Sequence, residues 1–139
     1  MIALGLARYG FKSEVLKIFR GLFEAASYMD LRRLPELFCG FPWRRLNAPT
    51  LYPVACVPQA WASATVFALV QASLGIGFDP ESGEIHFDRP ALPEFIDELH
   101  LRGLRAKHGT ADVLLRRYDS DVVLNITRRQ GSVPIVLSR

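Results

Sequence analysis

One carboxylate in this chain stands in an unusual setting. Glu36 lies in LPELFCGFPWRRLNAPTLYPVACVPQAW, residues 34–61, among aromatic residues and prolines. Phe38, Phe41, Trp43, Tyr52 and Trp61 could wall a cleft beside it. Arg44, Arg45 and Gln59 could reach hydroxyl groups held in such a cleft. These residue types suit a sugar, whose C–H faces pack on aromatic rings while its hydroxyls seek polar side chains. The catalytic reading of Glu36 requires the cleft, the walls and a second carboxylate. A plainer reading is also open. A carboxylate beside a proline often serves a helix cap or first turn, where the backbone dipole stabilises it. Each aromatic, Phe38 and Trp61 above all, could equally be core. Asp30, six residues before Glu36, reads as a cap or a solvated turn residue.

The remaining reactive side chains form no constellation. Cys39 and Cys56 are too few for a disulfide scaffold and read as reduced thiols of a cytoplasmic protein. Their spacing is no zinc motif, and His86, His100 and His108 lie far downstream. Glu81, Glu84, Asp97 and Glu98 read as surface charge, and His86 and His100 as exposed positions on strands. The 17 Lys and Arg exceed the 14 Asp and Glu by three, and the basic pairs are scattered. No long run of like charge occurs, so nucleic acid is not an expected partner. The longest uncharged passage, residues 46–78, is broken by Pro49, Pro53 and Pro58 and punctuated by polar residues. It is a poor match to the roughly 20 apolar residues of a membrane span. The N-terminus lacks the charged start and cleavage site of a secretion signal.

The elements that would position residues 34–61 change character along the chain. Residues 1–9 form an apolar helical fragment ended by Gly10. From Glu14 onward Val15, Ile18, Phe19, Leu22, Phe23 and Ala26 share one face at helical spacing, with Ser13 as the expected N-cap. A long loop, Asp30 to Val57, follows; loops of that length are often functional. A second long helix is expected from Pro58 to Leu74, stopped by Gly75. It is apolar nearly all round, so it needs neighbours on most sides. The second half alternates as strands through 76–78, 85–87, 99–101, 113–115, 122–126 and 133–137. Gly103 suggests a bulge, 119–121 and 129–131 hairpin connections, and Pro134 an edge strand. The expected class is α+β, with helices over 1–75 and an antiparallel β module over 76–139.

The order of the residues in the loop resembles a known family. Glu36-Leu37-Phe38-Cys39-Gly40-Phe41-Pro42, then Tyr52-Pro53-Val54-Ala55-Cys56, then Pro58-Gln59-Ala60-Trp61-Ala62-Ser63-Ala64 is similar to the C-terminal part of bacterial glycogen-debranching proteins of the amylo-α-1,6-glucosidase type. The opening IALGLARYGF and the later Arg89-Pro90 and Leu92-Pro93-Glu94-Phe95 are similar to the same family. The resemblance implies an (α/α)6 toroid that hydrolyses α-1,6 branches of glycogen-like glucans with inversion. It implies Glu36 as general base and Gln59, Trp61, Phe38, Tyr52 and Arg44 as the substrate-binding residues, without a cofactor. It further implies that the general acid, and a Trp-Pro-His-Asp segment, belong to an N-terminal part of the catalytic domain preceding Ile2. The expected partners are thus an α-glucan and that missing part. The alternative is an inactive remnant, or a fragment that binds carbohydrate or a partner.

Overall fold

A computed structural model describes every residue except Trp43, Arg45, Leu46, Ser120 and Arg139. Helix α1 spans Ile2–Arg8, α2 Lys12–Ser27 and α3 Ala60–Leu74, with a 3-10 turn at Asp30–Arg32. Strands follow: β1 Ile76–Phe78, β2 Ile85–Asp88, β3 Glu98–Ala106, β4 Gly109–Tyr118, β5 Asp121–Gly131 and β6 Ile135–Ser138. The described residues thus form an α+β fold of three α-helices and two small sheets. One sheet has the order β1-β2-β6, the other β3-β4-β5.

Helix α2 forms because its apolar side chains recur every three to four residues. Val15 and Phe19 are buried, with Ile18 and Leu22 packed beside them. Its start differs from the Ser13 cap expected. The helix begins at Lys12, Phe11 is the N-cap, and the Ser13 hydroxyl donates to the Glu14 carboxylate at 2.7 Å. Gly10, in the left-handed region at φ 84°, separates α1 from α2. Phe23, on the apolar face but half-exposed, stacks on Phe95 with ring centroids 4.0 Å apart. Phe19 meets the same ring edge-on at 5.7 Å. Arg20 adds ion pairs to Glu24 and Glu94. The segment between β2 and β3 is thereby docked on α2.

Helix α3 begins two residues later than Pro58. Gln59 is the N-cap in an extended conformation, and its side-chain oxygen accepts the Ala60 N–H at 2.9 Å. The expected stop at Gly75 is found, in the left-handed conformation that glycine adopts without a Cβ penalty. Leu69, Ala72 and Leu74 are buried, whereas Trp61, Val66 and Phe67 are exposed. The Lys12 ammonium donates to the Ala72 and Ser73 carbonyls at 2.9 and 3.2 Å, covering orphan acceptors at the helix end. Burial there pushes the Lys12 ammonium below its usual range, against the opposing pull of Asp88.

The two sheets share one core. Ile85 and Phe87 of β2 and Ala111, Val113 and Leu115 of β4 are buried in one cluster with Leu74 and Val133. On β3 the inward positions are Leu99 and Leu101, then Leu104 and Ala106. Two consecutive outward residues, Arg102 and Gly103, shift the alternation, and the ladder absorbs them as an irregularity between Leu101 and Leu104. This is the bulge expected at Gly103, whose φ is +67°. Asp112 Oδ1 accepts its N–H at 2.6 Å.

Two expectations about the sheets are corrected. Residues 129–131 are no hairpin connection: they continue β5, pairing with Ala111, Thr110 and Gly109. The tight connection lies at Lys107-His108, between the paired residues Ala106 and Gly109. And β6 pairs with β2 in parallel, Ile85 opposite Ile135, so this sheet is mixed. The cause is the crossing at Ser132–Pro134, which returns the chain beside β2 rather than folding it back on β5. The turn expected at 119–121 does join β4 to β5, with Tyr118 opposite Asp121; Ser120 itself is outside the described residues. Pro134 immediately precedes β6, an edge strand, where its missing N–H costs no ladder bond.

Candidate functional site

The described residues between 33 and 59 carry no regular element, yet the segment folds back on itself. The Glu36 N–H donates to the Cys56 carbonyl at 3.1 Å, and the Cys56 N–H donates to Glu36 Oε2 at 3.0 Å. Further in, the Cys39 thiol lies 3.7 Å from the Leu51 carbonyl. The two arms therefore face each other as an irregular hairpin, with Glu36 closing its base. Pro35 beside it is buried, which anchors this end. The chain enters through Leu31 and Arg32, both left-handed non-glycine residues at φ 53° and 57°. Such positions cost about 1 kcal/mol or more each and persist only where the surroundings impose them.

The clamp also sets the charge state. The Cys56 N–H and then its thiol favour the ionised form of Glu36 against a smaller effect of burial, and the Gln59 amide adds least. The carboxyl is thus held below the usual range of a glutamate and is ionised at neutral pH. The same proximity pushes the Cys56 thiol up, first through its hydrogen bond to Glu36 and then through the carboxylate charge. Cys56 is therefore a poor nucleophile, and both cysteines are free thiols.

Gln59 stands next to Glu36 because it caps α3 one turn of chain after Cys56. Trp61 follows in the first turn, 60 % exposed, with its carbonyl accepting the Thr65 hydroxyl at 2.8 Å. Tyr52 is half-exposed in a turn closed by the Ala55 N–H at 2.9 Å. Phe38 and Arg44 belong to a different neighbourhood. They line a groove of about 790 Å³ between the C-terminal half of α2 and the loop. Glu24, Tyr28, Phe41 and Asn47 line it with them, while Glu36, Tyr52, Gln59 and Trp61 do not. Trp43 and Arg45, also expected near the substrate, lie outside the described residues.

No protein-family model, no curated protein and no solved structure matches this chain. Its chemistry must be read from the site alone. The structure brings Glu36 and Gln59 together at the start of α3, and separately gathers Phe38 and Arg44 in the groove. Glu24, Tyr28 and Asn47 were not foreseen there. Tyr28 carried a faint signal, an aromatic five residues beyond Phe23 and just past the apolar stripe of α2. Asn47 carried none. Among the described residues, no group of three His, Cys, Asp or Glu side chains could hold a metal ion, and no helix is long and apolar enough to cross a membrane.

Proposed function

We propose that this chain is the closing arc of a glycoside hydrolase that removes α-1,6 branches from glycogen-like glucans, with Glu36 as its general base. In this reading residues 1–75 complete an (α/α)6 toroid, residues 76–139 form its terminal β module, and the enzyme works in the cytoplasm. The observation that carries it is the way Glu36 is held in the aromatic loop. A base must be ionised when water arrives, as a glutamate accessible to water is at neutral pH. Its Oε2 is oriented by the Cys56 N–H, a fixed support of the kind a positioned base needs. Gln59, close to Glu36, would take the sugar's hydroxyls, and the exposed Trp61 two residues on would offer a ring face.

Hydrolysis would then proceed with inversion. A carboxylic acid supplied from outside residues 1–139 protonates the glycosidic oxygen as the C–O bond breaks. Glu36 takes a proton from water as that water's oxygen attacks the anomeric carbon from the opposite face. Such pairs stand roughly 6.5–9.5 Å apart to admit the water. The exposed Trp61, Val66 and Phe67 on α3 support the view that further helices belong against it.

One observation favours the second reading, a sugar- or partner-binding piece without catalysis. The same Cys56 contact that orients Glu36 also closes the loop, which is a structural use for the residue. Glucose release from a branched limit dextrin separates the two. It is measured on the longest polypeptide that carries residues 1–139, and on the 139-residue chain itself. Glu36→Gln keeps an oxygen for the Cys56 N–H but cannot take a proton. The longer polypeptide should lose about 10²–10⁴-fold in rate on this change, with β-glucose as the first anomer formed, and the short chain should release none. Activity within tenfold of the unsubstituted protein, or α-glucose formed first, would sink the catalytic role.

A further inference from the structure

We infer that the groove between α2 and the loop is a second carbohydrate-binding surface, shaped for a linear α-1,4-linked segment of the glucan and distinct from the Glu36 position. Three aromatic side chains border it: Tyr28 from the end of α2, and Phe38 and Phe41 from the loop. All three are exposed, Phe41 at 66 %. Among the described residues the ring–ring contacts join only Phe19, Phe23 and Phe95, so these three faces are not taken up by other rings. Exposed ring faces in a concave setting match the apolar C–H faces of glucose units.

The polar lining matches the rest of a sugar. Asn47 offers an amide that both donates and accepts, and Arg44 offers a fork of donors. Glu24 offers acceptors, its Oε1 already engaged by Arg20 at 2.7 Å. Among the described residues the lining holds one carboxylate and one guanidinium, with no basic excess among them. A phosphate or acidic ligand would demand a basic excess, whereas a neutral polyol does not. The volume of about 790 Å³ lies within the roughly 300–1,000 Å³ of small-ligand sites. Phe38 is two residues from Glu36, so a glucan lying in the groove is held close in the chain to the proposed base.

The choice of an α-1,4 glucan rests on the debranching reading above; the groove's affinity for sugar rests on its own walls. Titration calorimetry of the chain with maltoheptaose tests it. Maltoheptaose should bind, Tyr28→Ala and Phe41→Ala should each weaken binding at least fivefold, and Glu36→Gln should leave it within twofold. Both aromatic positions are exposed, so the variants should keep the fold; circular dichroism checks this, and Asn47→Ala provides a variant that removes no ring. Absence of binding, or binding indifferent to Tyr28→Ala, Phe41→Ala and Asn47→Ala, overturns the proposal. Binding lost on Glu36→Gln alone would place the sugar at Glu36 and likewise overturn the groove. Glucose release unaffected by Glu36→Gln would instead remove the catalytic role and leave the groove standing on its own titration.

Discussion

Replacing Gly75 by alanine should be among the most damaging single changes in the chain. Gly75 ends α3 at φ +59° and its carbonyl accepts the Asp88 N–H at 3.1 Å. A Cβ at this position would collide with the Asp88 carbonyl oxygen. Two effects add. The left-handed conformation costs a non-glycine residue about 1–2 kcal/mol, and relieving a backbone collision in a packed region costs about 1–3 kcal/mol. The sum is about 2–5 kcal/mol. With a urea m-value of about 2 kcal/mol/M, the unfolding midpoint should fall by about 1–2.5 M. Urea titration followed by circular dichroism measures this in dilute protein. Gly75→Asn, which tolerates the left-handed region better but keeps the Cβ, should fall less far than Gly75→Ala. Gly5→Ala is the control: it lies inside α1 with open space around it, and it should stabilise by about 0.5–1 kcal/mol. A Gly75→Ala midpoint within about 0.2 M of the unsubstituted protein would mean that the chain does not pass from α3 to β1 by a left-handed turn against Asp88.

Other outcomes test the site and the surface around it. Because the Glu36 carboxylate disfavours the Cys56 thiolate, Glu36→Gln should speed alkylation of Cys56 by iodoacetamide several-fold at pH 8, with Cys39 as the internal reference. Equal rates in the two proteins would separate Glu36 from Cys56. The effect has a pH sign. The folded pKa of Glu36 lies below its unfolded value, so its contribution to holding the loop is present above the unfolded value and lost as pH falls through the folded one. Protection of the Cys56 amide from hydrogen exchange should therefore weaken on acidification, and less so in Glu36→Gln. The apolar outer face of α3, with Phe67 77 % exposed, should make the 139-residue chain self-associate, and Phe67→Asp should reduce that association in sedimentation. A monodisperse monomer at tens of micromolar would argue that α3 needs no neighbour.

Much of the local architecture was legible from residue types. The apolar stripe of α2, the Gly75 stop and the alternation of the strands are short-range patterns, and so is the phase slip at Gly103. Helix starts were less so. Ser13 and Pro58 are both good start residues, but Phe11, without a side-chain cap bond, and Gln59, whose side chain accepts the Ala60 N–H, are the N-caps. Of the site, Glu36 and Gln59 lie close together. The removal of Phe38 and Arg44 to a separate groove does not follow from any spacing along the loop.

What the sequence determined by itself is what neighbouring residues decide among themselves: an α-helical first half, a β second half, a left-handed stop, a bulge, and one glutamate in an aromatic, proline-rich loop. Only the tertiary structure decided that β6 joins β2 in parallel, that Phe95 enters between Phe19 and Phe23, and that Glu36 meets Cys56 twenty residues away. Those pairings join residues distant along the chain. Their energy comes from apolar surface buried together and from backbone groups that must find partners once water is excluded, and neither is written in the spacing of a single segment.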